Sequence, residues 1–224
     1  MKSTQVNWIT SLLFGLALFF TCAVHGQQTE AARKLFQENK AEAEKGNADA
    51  QFNLGNMYRT GRGVAKDEVE AVKWYRKAAD QGNAFAQSNL GAMYDTGQGV
   101  AKDEVEAVKW YRKAADQGDA VAQVNLGVMY DNGRGVAKDE VEAVKWYRKA
   151  ADQGYAFAQF NLGVSYAKGE GVAKDEVEAY KWYLLSGAQG DEFAKKAITL
   201  IERDLTAAQR LEGQRLAREW KPGK

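Results

Sequence analysis

Cysteine and histidine are all but missing from this chain, with one of each in 224 residues, Cys22 and His25. Both fall in the first 26 residues, and that stretch has the order of a secretory signal: Lys2, an apolar run from Trp8 to Val24, then Val24-His25-Gly26. Cleavage after Gly26 would leave an exported chain with no thiol, no imidazole and no possible disulfide, where disulfides could form. The apolar run is 17 residues, at the lower limit of the ~17–25 needed to span a bilayer, so retention as an anchor is the alternative. Bulky Phe19-Phe20 ahead of Cys22 argues against lipidation there.

An excess of either charge is missing too. There are 31 basic and 30 acidic residues, and loss of Lys2 with the leader leaves 30 of each. Such balance excludes strong long-range attraction to nucleic acid, and no membrane insertion is expected once the leader is gone. Hydrolytic chemistry is poorly supplied. Metal hydrolysis commonly uses His or Cys ligands. A serine nucleophile needs a base beside its hydroxyl, and beyond the leader the serines are Ser88, Ser165 and Ser186. No catalytic residue, metal or cofactor is therefore expected, although paired carboxylates such as Asp95 and Asp131 stay open.

Repetition is what the chain has in abundance. GVAKDEVEAVKWYRKAADQG occurs at 63–82, 99–118 and 135–154, and an altered copy fills 171–190. The period is 36 residues, marked by Trp74, Trp110, Trp146 and Trp182. A period of ~20–50 residues signals a stacked array whose units bury their apolar faces only against neighbours. The units are Asn47–Gly82, Asn83–Gly118, Asp119–Gly154 and Tyr155–Gly190.

Each unit reads as two helices. The first, about 13 residues long, starts after an N-cap (Asn47, Asn83, Asp119) that Tyr155 replaces in the last copy, and stops at Gly61, Gly97, Gly133 or Gly169. The second opens on a capping-box pattern, Asp67/Glu70, repeated at Asp103/Glu106, Asp139/Glu142 and Asp175/Glu178. Ala50, Leu54, Gly55 and Tyr58 recur at the same offsets in every copy, so small residues let backbones approach while large ones fill the gaps. One buried large side chain contributes roughly 1.5–3 kcal/mol, against about 1–2 kcal/mol of backbone entropy per residue. A single unit should not fold alone. The Gly-x-Gly pairs lack the Lys-Ser/Thr and the strand–turn–helix setting of a phosphate loop.

The pattern A-x-A-Q-x-N-L-G-x-M-Y, G-x-G-V-x-x-D, A-x-x-W-Y-x-x-A-A-x-x-G resembles the Sel1-like repeat family, relatives of tetratricopeptide repeats, over residues 47–190. The resemblance implies an all-α fold, an α/α right-handed superhelical solenoid of Sel1-like helix–turn–helix repeats. The expected organisation is a signal peptide at 1–26, an N-terminal capping helix at 27–46, repeats at 47–82, 83–118, 119–154 and 155–190, and C-terminal capping helices at 191–224. Thr206 and Gln209 form a further capping box. Leu184 and Leu185 replace Arg148 and Lys149, and Leu211, Leu216 and Trp220 could cover them.

Differences between copies fall on one stripe of the first helix: Asp49/Phe85/Val121/Phe157, Phe52/Ser88/Val124/Phe160, Asn56/Ala92/Val128/Val164 and Arg59/Asp95/Asp131/Ala167. At 100° per residue these offsets lie roughly opposite the constant Ala–Leu–Tyr stripe. The family resemblance places them in the concave groove. The candidate partner-binding residues are thus Phe52, Asn56, Arg59, Phe85, Ser88, Asp95, Val121, Val124, Asp131, Phe157 and Phe160. Packing of these side chains between adjacent first helices is the other reading. Asn53, Asn89, Asn125 and Asn161 could bond the backbone of a bound peptide, or bond between helices.

The resemblance implies a periplasmic or secreted, monomeric scaffold that binds a protein or peptide partner and is not an enzyme. Two alternatives remain: a hydrolase or binder of cell-wall or lactam-type ligands, to which some exported relatives are linked, and a self-associating structural protein.

Overall fold

A computed structural model describes residues 29–223; the expected leader and its cleavage point lie outside them. Every regular element among the described residues is a helix. No helix there is long and apolar enough to cross a membrane.

The chain divides into two compact units, Met1–Ala78 and Ala79–Lys224. The first holds α1 (29–44), α2 (Ala48–Thr60) and most of α3 (Glu68–Asp80). Its core gathers Phe36 and Ala43 of α1, Ala50, Leu54 and Met57 of α2, and Trp74 of α3. Phe36 meets Tyr58 edge-on, centroids 5.4 Å apart. Helix α1 takes the place of a second helix ahead of α2, because Gln51 Nε2 donates to the Ala43 carbonyl at 3.1 Å.

The second unit contains α4 (Ala84–Thr96), α5 (Glu104–Asp116), α6 (Ala120–Asn132), α7 (Glu140–Asp152), α8 (Ala156–Lys168), α9 (Glu176–Ala188), α10 (Glu192–Ile201) and α11 (Ala207–Glu219). Asn83 and Asp119 accept from the third amide of their helices, Ala86 and Ala122. Tyr155 offers no such bond, yet α8 starts at the matching residue; packing, not the cap, fixes that start. Only half of the expected capping box forms on the second helices. Asp103, Asp139 and Asp175 accept from Glu106, Glu142 and Glu178, but those glutamates turn to Lys109, Lys145 and Lys181 instead of back to the cap. The complete reciprocal box is at Thr206/Gln209.

Two devices hold the helix pairs together. Gly127 lies flat against Tyr147, where an added Cβ would come within 2.6 Å of the ring; the glycine sets how closely α6 approaches α7. The invariant glutamine of the first helix is the other. Gln123 Nε2 donates to the Ala115 carbonyl that ends the preceding second helix, 3.1 Å, and its Oε1 accepts from Gln153 of its own repeat, 2.8 Å. Gln87 and Gln159 repeat both bonds. Buried amides must be satisfied, and these are, so each one links three helices.

At the C-terminal end α10 and α11 both pack on α9. Gly213 of α11 sits against Tyr180, Trp220 meets the Trp182 ring edge-on at 6.2 Å, and the Gly223 amide donates to the Asp152 carbonyl at 2.8 Å. Leu211 is exposed and covers nothing; it lies on the outer side of α11, while Leu184 and Leu185 remain half-buried.

A candidate interaction face on the first helices

Four exposed apolar side chains recur at one position of successive first helices in the second unit. Phe85 is 62% exposed, Val121 44%, Phe157 47% and Phe193 68%. Phe193 extends the series onto α10, which sequence reasoning missed. The signal was present: Asp191, Phe193 and Ala194 stand 36 residues after Tyr155, Phe157 and Ala158. The repeat breaks at Lys195 and Lys196, which hides the continuation.

Three residues further along, the stripe turns inward. Ser88 is 6% and Val124 2% exposed, so neither is available to a partner, contrary to expectation. Side chains at this offset lean back over the preceding turn, and a phenylalanine there meets the tyrosine of its own repeat's second helix. The Phe160 ring is 5.8 Å from Tyr183 and 6.2 Å from Phe193. In the first unit, Phe52 is 6.0 Å from Tyr75. A small side chain here is covered completely; phenylalanine keeps an edge outside, and Phe52 and Phe160 are half-buried.

The asparagines are more open. Those of the second unit, Asn89, Asn125 and Asn161, are half-buried, and Asn53 of the first unit is exposed. Among the described hydrogen bonds none uses their carboxamides, so the expected helix-to-helix bond is not made.

In the first unit Tyr75 donates to Asn56 Oδ1 at 2.7 Å and accepts from Arg59 Nε at 3.1 Å. A hollow of about 650 Å³ opens beside them, lined by Leu35, Asn39, Asn53, Asn56, Met57, Arg59, Thr60 and Arg62.

In the second unit Asp95 and Asp131 have different surroundings. Asp95 is paired with Arg134, which also reaches Glu104. The two lysines beside Asp131, Lys138 and Lys168, pair with Glu140 and Glu170 instead, and its polar partner is the Tyr147 hydroxyl. Burial raises the Asp131 carboxyl above the usual aspartate range, and Glu170 and Glu140 push it further against the opposing pull of Lys138 and Lys168. Burial, reinforced by Asp131, pushes the Tyr147 phenol up as well.

Ser165-Tyr166-Ala167-Lys168 has the Ser-x-x-Lys spacing of some serine hydrolases. Ser165 lies buried at the place of Met57, Met93 and Met129, and Lys168 pairs with Glu170 at 3.3 Å. The pair is structural. Among the described residues no group of three or more His, Cys, Asp or Glu is arranged to hold a metal.

The Sel1 repeat model matches residues 48–83, 84–119, 120–155 and 156–191. A protective antigen present in uropathogenic Escherichia coli strains, displaying an SLR fold, is 40% identical with a TM-score of 0.78. The match covers 83% of this chain and 40% of that protein, so this chain spans well under half of its length. A Sel1 repeat protein from Oxalobacter formigenes is 38% identical at TM-score 0.71, covering 84% of this chain and 77% of that one. An immunity protein from Pseudomonas aeruginosa is 26% identical at TM-score 0.50, covering 83% and 70%. Among curated proteins no sequence match was found.

Proposed function

This chain belongs to the Sel1 repeat family, and from that premise we propose that it is an exported, non-catalytic, monomeric scaffold holding a protein or peptide partner against its first helices. Proteins built of such repeats are generally protein-interaction scaffolds. The observation that carries the reading here is the exposed series Phe85, Val121 and Phe157, kept apolar in repeat after repeat of the second unit. Recurrent exposed apolar side chains mark interaction sites. Exposed aromatics supply contact area at low entropic cost. Asn89, Asn125 and Asn161, with uncommitted carboxamides beside that series, supply bonds to a bound main chain.

The face is tested by the triple variant Phe85→Glu, Val121→Glu, Phe157→Glu. Its helicity and Tm should match the parent chain, while capture of the partner from an envelope extract is lost. Undiminished capture would place the partner elsewhere, and concentration-dependent oligomers abolished by the same variant would make the face a self-association surface.

A further inference from the structure

Each loop after a first helix carries a variable residue at the edge of the preceding repeat: Arg134 after α6 and Glu170 after α8, 36 residues apart. The two loops sit in the same register. The glycine that follows, Gly135 or Gly171, is pressed on the carbonyl of Glu104 or Glu140, where an added Cβ would fall at 2.1 or 2.0 Å. Whatever side chain precedes that glycine therefore starts from the same spot.

At the first junction the spot launches a guanidinium. Arg134 Nε lies 3.2 Å from Glu104 Oε1, and its Nη2 bonds Asp95, joining α4, α5 and the loop. One junction later the same two acids recur at the same positions, Asp131 and Glu140, but the loop residue is Glu170. The place filled by a guanidinium between Asp95 and Glu104 is bordered here by three carboxylates. Glu140 is paired at 2.7 Å by Lys138 and Glu170 at 3.3 Å by Lys168, both mostly exposed. Among the described residues Asp131 makes no ion pair: its hydrogen-bond partner is the Tyr147 hydroxyl, and Lys138 and Lys168 act on it only from their pairs with Glu140 and Glu170. The acids do not converge as metal ligands would; Asp131 and Glu140 hold the repeat positions of the acids around Arg134.

We propose that the junction of α6, α7 and the loop after α8 is a receptor for an arginine of the protein partner, its guanidinium sitting between Asp131 and Glu140 as that of Arg134 sits between Asp95 and Glu104. The proposal rests on the reading that the first helices bind a protein, and names the chemistry of that partner. Arginine is preferred over lysine because the sibling site uses two different nitrogens of one planar fork to reach acids on two helices, which a point charge does not span. Phe157 lies in the first turn of α8 and Ala167 in its last, three residues before Glu170 of the receptor; the ten residues between them span about 15 Å along the helix. An extended segment covers that distance in about four or five residues. The partner segment thus carries an arginine and, about four or five residues away, an apolar side chain for Phe157.

The test uses the full chain and labelled Gly/Ser peptides carrying one leucine and, five residues away, arginine, lysine or citrulline. The arginine peptide should bind at least tenfold tighter than the citrulline peptide, with lysine between them. Glu170→Arg fills the receptor from within: it should abolish that preference and raise Tm by about 2–4 °C. Equal or absent binding of the arginine and citrulline peptides, an unchanged preference in Glu170→Arg, or a fall in Tm overturns the proposal. Partner capture lost in Phe157→Glu but kept in Glu170→Arg would leave the interaction face standing and remove the receptor alone.

Discussion

Val121 and Val124 are the same residue three places apart on α6, both at positions that vary between copies, and they have opposite fates. The first is 44% exposed and the second 2%. The comparison holds for the other helices of the second unit: Phe85 against Ser88 on α4, Phe157 against Phe160 on α8. Variation among repeats therefore has two causes. At the first turn the side chain stays largely exposed, so many residues are tolerated. One turn later the position is covered whether Ser or Val fills it, and phenylalanine packs on the second-helix tyrosine.

Charge separates the two positions most strongly. Val124→Glu buries an unpaired carboxylate and should cost on the order of 3 kcal/mol or more, read as a collapse of urea resistance. Val121→Glu should stay within about 0.5 kcal/mol of the parent. Equal losses would break the comparison. A smaller effect probes what keeps α6 in place beneath those valines. Gln123→Ala removes two hydrogen bonds between helices, to the Ala115 carbonyl and from the Gln153 amide, and at about 0.5–1.5 kcal/mol each should cost about 1–3 kcal/mol in the same denaturation experiment. Smaller still, Tyr155→Asp gives α8 the cap that Asp119 gives α6, and should stabilise the fold by about 1 kcal/mol in thermal melts. A neutral result there would show that the missing cap costs α8 nothing.

The smallest predicted effect is on pH. Burial, Glu170 and Glu140 outweigh Lys138 and Lys168 and raise the Asp131 carboxyl above 3.8 in the folded chain, so the folded state holds this proton more tightly than the unfolded one. Its contribution is present below 3.8 and is lost as pH rises through the folded value. Asp131→Asn removes that dependence. Relative to it, the parent chain should lose stability as pH climbs from about 3.8 toward neutrality, measured by urea titration at each pH; an opposite slope would mean that Lys138 and Lys168 outweigh burial there.

Most of the architecture is legible in the sequence because its causes are local. The 36-residue period, the glycine stops and the Asn or Asp caps each act within one turn, and the structure repeats them. What was hidden depends on contacts between repeats. Ser88 and Val124 look as free as Phe85 because comparison of copies records variation, not the neighbour that absorbs it. Arg134 reads as one more surface charge until its loop is laid against Asp95 and Glu104. The glutamine of A-x-A-Q is conspicuous as a letter, but its three-helix linkage emerges only with the second and third helices in place. Leu211 shows the converse: apolar character alone did not determine which side of α11 would be covered.

The central claim is that the first turn of each first helix is an open contact face while the next offset belongs to the core. Single cysteines at 121, 157 and 124, in a chain whose Cys22 is replaced by Ser, measure this directly through native-state maleimide labelling. The account predicts that 121 and 157 label nearly as fast as in urea and are slowed by an envelope extract that supplies the partner, while 124 stays unlabelled until the chain unfolds. Slow labelling at all three, or fast labelling at 121 and 157 that no extract alters, would contradict it.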